Sequence, residues 1–204
     1  MQIDFSEFSA TERYHLMTQS IIPRPIAWAL TDSGNNSFNL APFSYFTAVS
    51  SQPALLMLSV GKKPNGEDKD TLANIIKNKK MVIHIASVNQ AELVTQTAAT
   101  LAHGESELDN TNLTTVPFER FSLPRLAECD IAFGCELYEI KELGDAAQTL
   151  IFVEVKQLYL SDAIATKNEK NRITINANQV APLARLGGGE YAGLSESFSL
   201  QRPQ

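Results

Sequence analysis

The chain has 204 residues, of which 44% are hydrophobic and 20% charged, and its formal net charge is −6. This composition is typical of globular proteins and excludes a disordered, collagen-like or coiled-coil chain, and the length predicts a single domain over residues 1–204. The negative charge argues against binding to nucleic acid or to an anionic membrane, because both require a basic surface.

No apolar stretch approaches the roughly 18 residues that cross a membrane, and the acidic N-terminus lacks the pattern of a secretory signal. Cys129 and Cys135 are six residues apart in the sequence. On one extended strand this separation is about 20 Å, which is too long for a disulfide bond. We therefore expect two free thiols, a reducing compartment and a cytoplasmic protein.

The N-terminal half is predicted to contain three helices between strands. The first helix begins at the capping box Ser9–Glu12 and ends before Pro23, because a residue before proline avoids helical backbone. The second runs from Asp70 to about Lys79 and is capped by Asp70 or Thr71, and the third follows the box Asn89–Glu92. The predicted strands are residues 26–31, 38–46, 55–60 and 81–86, with a turn at 32–36 and a polar loop at 61–68. Because residues 55–60 are apolar on both faces, we predict a central strand there.

The C-terminal half is dominated by one long predicted hairpin. Residues 131–143 and 148–160 are strand-like and are joined by a turn at Gly144-Asp145. Residues 98–128 are loop-like with some short helix, and residues 172–204 contain short strand segments. The sum is six or seven mainly antiparallel strands with helices in insertions, so the predicted fold class is a mainly β protein, a β-barrel decorated with helices.

Several common catalytic motifs are missing from the sequence. There is no glycine-rich nucleotide fingerprint, no G-x-S-x-G elbow, no C-x-x-C and no H-E-x-x-H. The three histidines lie in unrelated contexts, so we expect no metal site and assign no catalytic residue. His84, inside an apolar strand, is interpreted as a core histidine. His103, in a loop, is either a residue that gates a site or an exposed bystander.

Two segments of the N-terminal half have residues suited to a ligand. Lys69-Asp70-Thr71 precedes a helix, whose free N–H groups and positive dipole end favour a phosphate. The alternative is an ordinary helix cap with a solvated lysine. Ser44 follows Pro42, and a proline inside a strand marks an edge or an irregularity. Ser44 could bind carbonyl and imide groups of a ligand, or the segment is a plain edge strand.

Two further segments contain an arginine. Arg24 lies between two prolines, and a guanidinium on a rigid backbone suits phosphate or carboxylate. Arg185 precedes the glycines 187–189 and Tyr191, and glycines allow the backbone to approach a ligand closely. The alternatives are a surface arginine between turn-forming prolines and a flexible C-terminal turn.

The order of these segments is more specific than any one of them. PRPIAW at 23–28, NLAPFSYF at 39–46, VSSQP at 49–53, KDTLANI at 69–75 and PLARLGG at 182–188 follow one another. In this combination the sequence resembles the flavin reductase-like, FMN-binding split-barrel family, including flavoredoxin, over about residues 10–200. The resemblance implies a split β-barrel and a homodimer, with FMN in a cleft near the dimer interface.

The resemblance also implies which residues bind the cofactor. Ala41, Pro42, Phe43 and Ser44 match the segment along the isoalloxazine ring, and Lys69, Asp70 and Thr71 match the segment at the phosphate. The other matching positions are Arg24, Pro25 and Ile26 of the first strand, Ser59 of the strand over 55–60, and Arg185, Gly187, Gly188 and Tyr191 of the C-terminal segment. His84 departs from the family, which commonly has Asn there.

Three functions are compatible with this resemblance. The first is an NAD(P)H-dependent flavin reductase, in which hydride moves from NAD(P)H to the flavin. The second is a flavoredoxin-type electron carrier that docks a protein redox partner, and the third is a non-redox FMN-binding dimer. A flavin enzyme needs few catalytic side chains, because the cofactor itself accepts the hydride. The absence of catalytic motifs is therefore compatible with a flavin enzyme. The residues do not choose between NADH and NADPH.

Overall fold

A seven-stranded antiparallel sheet is the centre of the structure, a computed structural model that describes residues 1–102, 105–145 and 148–203. In chain order the strands are β1 (Arg24–Pro25), β2 (Ala27–Gly34), β3 (Ser37–Phe43), β4 (Phe46–Ser51), β5 (Ala54–Val60), β6 (Lys80–Ile85), β7 (Thr115–Val116), β8 (Arg125–Leu126), β9 (Ile131–Leu143), β10 (Gln148–Leu160), β11 (Ala165–Lys167), β12 (Ile173–Ile175), β13 (Ala184–Arg185) and β14 (Tyr191–Ala192). The large sheet has the order β3-β2-β6-β9-β10-β5-β4. The predicted mainly antiparallel β fold is confirmed.

The connection between β3 and β4 forces this sheet to curl. The two strands lie at opposite edges, yet only Ser44 and Tyr45 separate them in the sequence. Seven flat strands would place the edges about 29 Å apart, whereas this link reaches about 11 Å. The sheet therefore bends until its edges approach each other without pairing, which produces an open barrel. The predicted single strand over 38–46 is wrong for this reason: the chain leaves one edge of the sheet after Phe43 and enters the other at Phe46.

β2 and its neighbour β6 have two buried faces, whereas β5 has one. Residues 27–31 of β2 are all buried, with Trp28 and Leu30 in one core cluster and Ala27 and Ala29 in the other. β5 lies next to the edge strand β4, and only every second side chain of it is fully buried. The prediction of a central strand at 55–60 was wrong in this respect, because the curled sheet offers β5 only one closed face.

The helices begin close to their predicted positions but two caps differ. They are α1 (Ala10–Ser20), α2 (Asp70–Asn78), α3 (Ala91–Gln96) and α4 (Ala177–Val180). The capping box of α1 is confirmed, since Ser9 and Glu12 bond each other reciprocally. α2 is capped by the backbone of Lys69, not by Asp70 or Thr71, and no side chain caps it. Before α3, the box is formed by Ser87 and Gln90, because a short 3-10 turn precedes the helix.

The two arginine-containing segments pair in a second, three-stranded sheet of order β1-β13-β14. Arg24 lies opposite Arg185, although 160 residues separate them in the sequence. The long predicted hairpin is confirmed with strands Ile131–Leu143 and Gln148–Leu160 and a left-handed Gly144 at its turn. In the described segments, no helix is long and apolar enough to cross a membrane.

Both cysteines are free, as predicted, and the structure shows that both are buried. Burial raises the pKa of the Cys129 thiol to about 12 and also raises the pKa of Cys135. A thiol with such a pKa stays protonated near neutral pH and is a poor nucleophile. Within the ranges that the structure describes, no three His, Cys, Asp or Glu side chains are grouped so that they could hold a metal ion.

Candidate functional site

A cleft of about 420 Å³ lies between β3, the loop before α2 and the segment after α3. A smaller depression of about 230 Å³ adjoins it and shares Pro42, Phe43, Lys62 and Lys69 with it. Together they form one groove. Of the predicted site residues, the groove is lined by Ala41, Pro42, Phe43, Ser44, Ser59, Lys69, Asp70 and Thr71. The structure therefore brings together the segments predicted for the ring and for the phosphate.

The start of α2 presents hydrogen-bond donors to the larger cleft. The cap residue Lys69 has an extended backbone, and its side chain makes no capping hydrogen bond to the first turn. Thr71 Oγ1 accepts a hydrogen bond from Asn39 Nδ2 at 2.9 Å. Because a hydroxyl can accept and donate at once, this contact orients the oxygen and leaves its proton for another acceptor. The positive end of the helix dipole adds to the attraction for an anion.

Three lysines line the larger cleft, and they differ in their charge balance. Lys62 pairs with Asp68, and Lys63 pairs with Asp70 at 2.8 Å. Lys69 has no carboxylate partner among the described residues, and its Nζ lies 5.6 Å from the centre of the Phe43 ring. Burial lowers the pKa of Lys69, which is the response of an ammonium group without a counter-charge. An anion bound here would neutralise that charge.

Ser44 connects the groove with a buried arginine. The guanidinium of Arg24 donates Nε to Ser44 Oγ at 3.3 Å, Nη2 to Leu186 O at 2.7 Å, and Nη1 to two carbonyl oxygens at the end of α1, those of Thr18 and Ile21. Arg24 is only 6% exposed. It therefore holds α1, the C-terminal segment and the β3–β4 link together, and it orients Ser44 while leaving the serine proton available.

Ser59 is engaged in a different way. Its hydroxyl donates to Gln148 Oε1 at 3.3 Å, so its proton is already used within the protein. Gln148 starts β10 and lines the smaller depression, and a Cβ added at Gly61 would make a tight contact of 3.3 Å with Gln148 Nε2. The absence of a side chain at Gly61 leaves room for Gln148 at the groove.

The other predicted site residues line neither part of the groove. Pro25 ends β1, and Ile26, between β1 and β2, is in the core. Arg185 lies over the Tyr191 ring at 4.4 Å, and the Tyr191 hydroxyl is hydrogen-bonded to the hydroxyl of Thr95 in α3. Sequence reasoning assigned the glycines near Arg185 to the approach of a ligand. The structure shows another use for Gly187, because an added Cβ would lie 3.2 Å from the Gln19 backbone of α1.

His84 is a core histidine, as interpreted from the sequence. Its Nδ1 lies 3.0 Å from Trp28 O, which can only accept, so Nδ1 carries the proton. Its Nε2 accepts the N–H of Leu126 at 2.9 Å. Both ring nitrogens are thus used by the backbone, and burial lowers the pKa of His84 to about 4. His103 lies outside the described residues.

Sequence reasoning missed several residues that line the groove. Among them are Asn39, the wall formed by residues 97–101 with Glu107, and Gln148. Asn39 lies two residues before the ring segment, and its position in the NLAPFSYF motif is a signal that could have found it. The wall residues carry no periodic pattern, so only tertiary contacts identify them.

The comparison with known proteins decides the family. A family model described as the flavin reductase like domain matches residues 18–179. The chain belongs to the flavin reductase-like family. This confirms the resemblance that the five ordered segments indicated, and the open barrel is the split β-barrel of that family.

Solved structures agree with this assignment. Nitrilotriacetate monooxygenase component B from Bacillus cereus has a TM-score of 0.88 and 35% identity, covering 98% of each chain. The 2-nitrobenzoate 2-nitroreductase NbaA of Pseudomonas fluorescens has a TM-score of 0.87 and 27% identity, covering 100% of this chain and 96% of that one. Flavoredoxin of Desulfovibrio vulgaris, with a TM-score of 0.75 and 16% identity over 98% and 97% of the chains, shares the fold.

Proposed function

We propose that this protein binds FMN in the groove and is an NAD(P)H-dependent flavin oxidoreductase. The observation that carries the proposal is Lys69. It is an ammonium without a carboxylate partner in the described part of the chain, and it lies beside an uncapped helix N-terminus. A flavin phosphate supplies the counter-charge that this arrangement lacks.

Each end of the groove suits one part of FMN. At the start of α2, Lys69, the Thr71 hydroxyl and the first-turn N–H groups would hold the phosphate through charge-assisted hydrogen bonds. Residues 41–43 would flank the ring, and the Ser44 proton would be donated to a ring carbonyl or nitrogen. Bound flavin supplies reversible hydride acceptance, so these residues need only bind, orient and shield it.

The reductase function is supported by the two neighbours with more than 25% identity. One is a monooxygenase component and the other a nitroreductase, and both cover nearly the whole chain. The reduced flavin of this protein would accordingly serve either another component or a nitroaromatic acceptor. A flavoredoxin-type carrier with a protein redox partner and a non-redox FMN-binding dimer are the competing functions, and flavoredoxin shares the fold.

A homodimer is part of the proposal. Strand β4 forms an edge of the large sheet and is exposed along most of its length, including Val49. Next to the smaller depression, Tyr14 of α1 is 53% exposed and lies 6.2 Å from the Tyr45 ring. A second copy placed on this surface would cover apolar side chains and close the open side of the groove.

The two unpaired thiols support the cytoplasm as the compartment.

The test is an FMN titration of purified, flavin-free protein, followed by flavin fluorescence. We expect saturable binding of one FMN per chain and then steady oxidation of NADH or NADPH when FMN and an acceptor are present. Flavin binding without NAD(P)H oxidation would favour the electron carrier if a redox partner reoxidises the photoreduced protein. Folded protein without saturable FMN binding would overturn the proposal.

A further inference from the structure

The outer edge of β3 is satisfied by two side chains and not by a neighbouring strand. Ser106 Oγ donates to Phe38 O at 2.5 Å, and the backbone N–H of Leu40 donates to Glu107 Oε2 at 2.8 Å. The next position in this alternation is Pro42, which has no N–H. An open edge presents unpaired backbone groups, so Ser106 and Glu107, here named the strap, take the place of a further strand.

The strap fastens one wall of the larger cleft. Residues 97–101 and Glu107 line that cleft together with residues of β3. The wall is fixed at its beginning by Thr97, whose hydroxyl accepts the indole N–H of Trp28 at 2.8 Å in the core. The strap fixes it at its end. At this end of the wall, its separation from the ring-binding residues of β3 therefore depends on two hydrogen bonds from adjacent residues.

The electrostatic surroundings of Glu107 argue that it is not an anion ligand. Its side chain is buried, with 7% exposure of the residue. The pKa of Glu107 is raised overall, chiefly because burial disfavours the charged carboxylate. The charge of Asp70 adds to this rise, while the Leu40 N–H and the charge of Lys63 oppose it. A carboxylate at this end of the cleft repels a phosphate. The structural role of Glu107 is instead to accept the hydrogen bond from the Leu40 N–H of β3.

We propose that Ser106 and Glu107 are positioning residues of the flavin cleft, and that by holding the wall against β3 they set the affinity for FMN. This rests on the proposed function. The contact needs an acceptor oxygen at residue 107 and not its charge. Gln at this position keeps the acceptor and removes the repulsion of the phosphate, whereas Ala removes both.

The experiment compares four variants in the full chain: Glu107→Ala, Glu107→Gln, Ser106→Ala and Glu128→Ala. Glu128 is the matched control, because its carboxylate also accepts a backbone N–H, that of Thr114 at 3.0 Å, but it does not line the groove. FMN affinity is measured by fluorescence titration. Hydrogen exchange of the Leu40 amide, measured without flavin, reports whether the strap is formed, independently of any ligand.

We expect Glu107→Ala and Ser106→Ala to weaken FMN binding about tenfold, as for the loss of a buried hydrogen bond. Glu107→Gln and Glu128→Ala are expected within about twofold of the wild type, and the Leu40 amide exchanges faster only in Glu107→Ala. Equal losses in Glu107→Gln and Glu107→Ala would show that the charge acts and would overturn the proposal. So would wild-type affinity in the Ala variants or an equal loss in Glu128→Ala.

The proposed function can fail separately. In one outcome the wild type binds no FMN, its Leu40 amide is protected from exchange, and the Leu40 amide of the Glu107→Ala variant is not protected. The strap then exists but serves no flavin site, and both proposals are wrong. If the wild type binds FMN and Glu107→Ala exchanges and binds like the wild type, only the positioning role is wrong.

Discussion

Two regions of the molecule contain polar side chains suited to a ligand, and they differ in how those groups are used. At the start of α2, Lys69 lacks a carboxylate partner within the described ranges, and Thr71 accepts a hydrogen bond while keeping its proton. In the buried interior, Arg24 makes four hydrogen bonds to the protein. His84 uses both nitrogens. Unused hydrogen-bonding capacity, more than residue type, therefore distinguishes the proposed binding surface.

The first prediction has the largest expected effect and concerns Arg24, whose hydrogen bonds are all made within the protein. Arg24→Met removes donors from three backbone carbonyls, and we expect the free energy of unfolding to fall by about 4 kcal/mol, because bonds to charged groups contribute strongly. Urea denaturation measures it. Arg13→Met is the control, since Arg13 also donates to carbonyls, those of Phe5 and Ser6, but is exposed. A similar loss in both variants, or a lower FMN affinity without lower stability, would contradict the distinction between the regions.

The second prediction concerns pH. The pKa of His84 is about 4 in the folded protein and near its ordinary 6.5 when unfolded, so the unfolded chain binds more protons between these values. Stability from His84 is therefore present above pH 6.5 and is lost as the pH falls to 4, by on the order of 3 kcal/mol. The unfolding free energy of the wild type, measured across this range, should fall more steeply than that of His84→Asn. Parallel curves would show that His84 is not buried in its neutral form.

The third prediction tests the available groups at the start of α2. Lys69→Ala with Thr71→Ala should weaken FMN binding by about 1–3 kcal/mol, because charge-assisted hydrogen bonds are lost. Lys62→Ala is the matched control, since Lys62 lines the same cleft but is already paired with Asp68. We expect less than about 0.5 kcal/mol for this control. Unchanged flavin affinity in the double variant would remove the phosphate from this end of the groove.

The smallest expected effect separates two serines of the groove. Ser44 keeps its proton, whereas Ser59 donates to Gln148. Ser44→Ala should weaken FMN binding by about 1 kcal/mol and Ser59→Ala by less than about 0.5 kcal/mol. Isothermal titration with FMN can resolve this difference. If Ser59→Ala has the larger effect, the assignment of free donors from the protein's own hydrogen bonds is wrong.

Much of the fold could be predicted because its signals are local. The long hairpin was predicted with the observed strand ends, since alternation and a glycine turn lie within adjacent residues. The division of residues 38–46 into β3 and β4 could not be predicted in the same way. It depends on how far the sheet curls, which no short segment encodes.

The candidate site shows the same division. Lys69, Thr71 and Ser44 were predicted and line the groove, whereas Gln148 and Glu107 belong to distant segments with no motif. Arg24 was predicted to contact a ligand because a guanidinium suits phosphate or carboxylate. Its partner Leu186 lies 162 residues away, and only the folded chain reveals that the guanidinium is engaged within the protein. Its contact with a cofactor stays a prediction.

The sequence by itself determined the strands and helices, the family and the segments of the groove, because residue spacing and motif order are properties of the chain. The tertiary structure decided which of those polar groups remain available. A donor is free only if no other part of the protein accepts from it, and that depends on residues far apart in the sequence. Glu107 is an example. It joins the groove through its contact with Leu40 of β3, which is 67 residues away in the sequence.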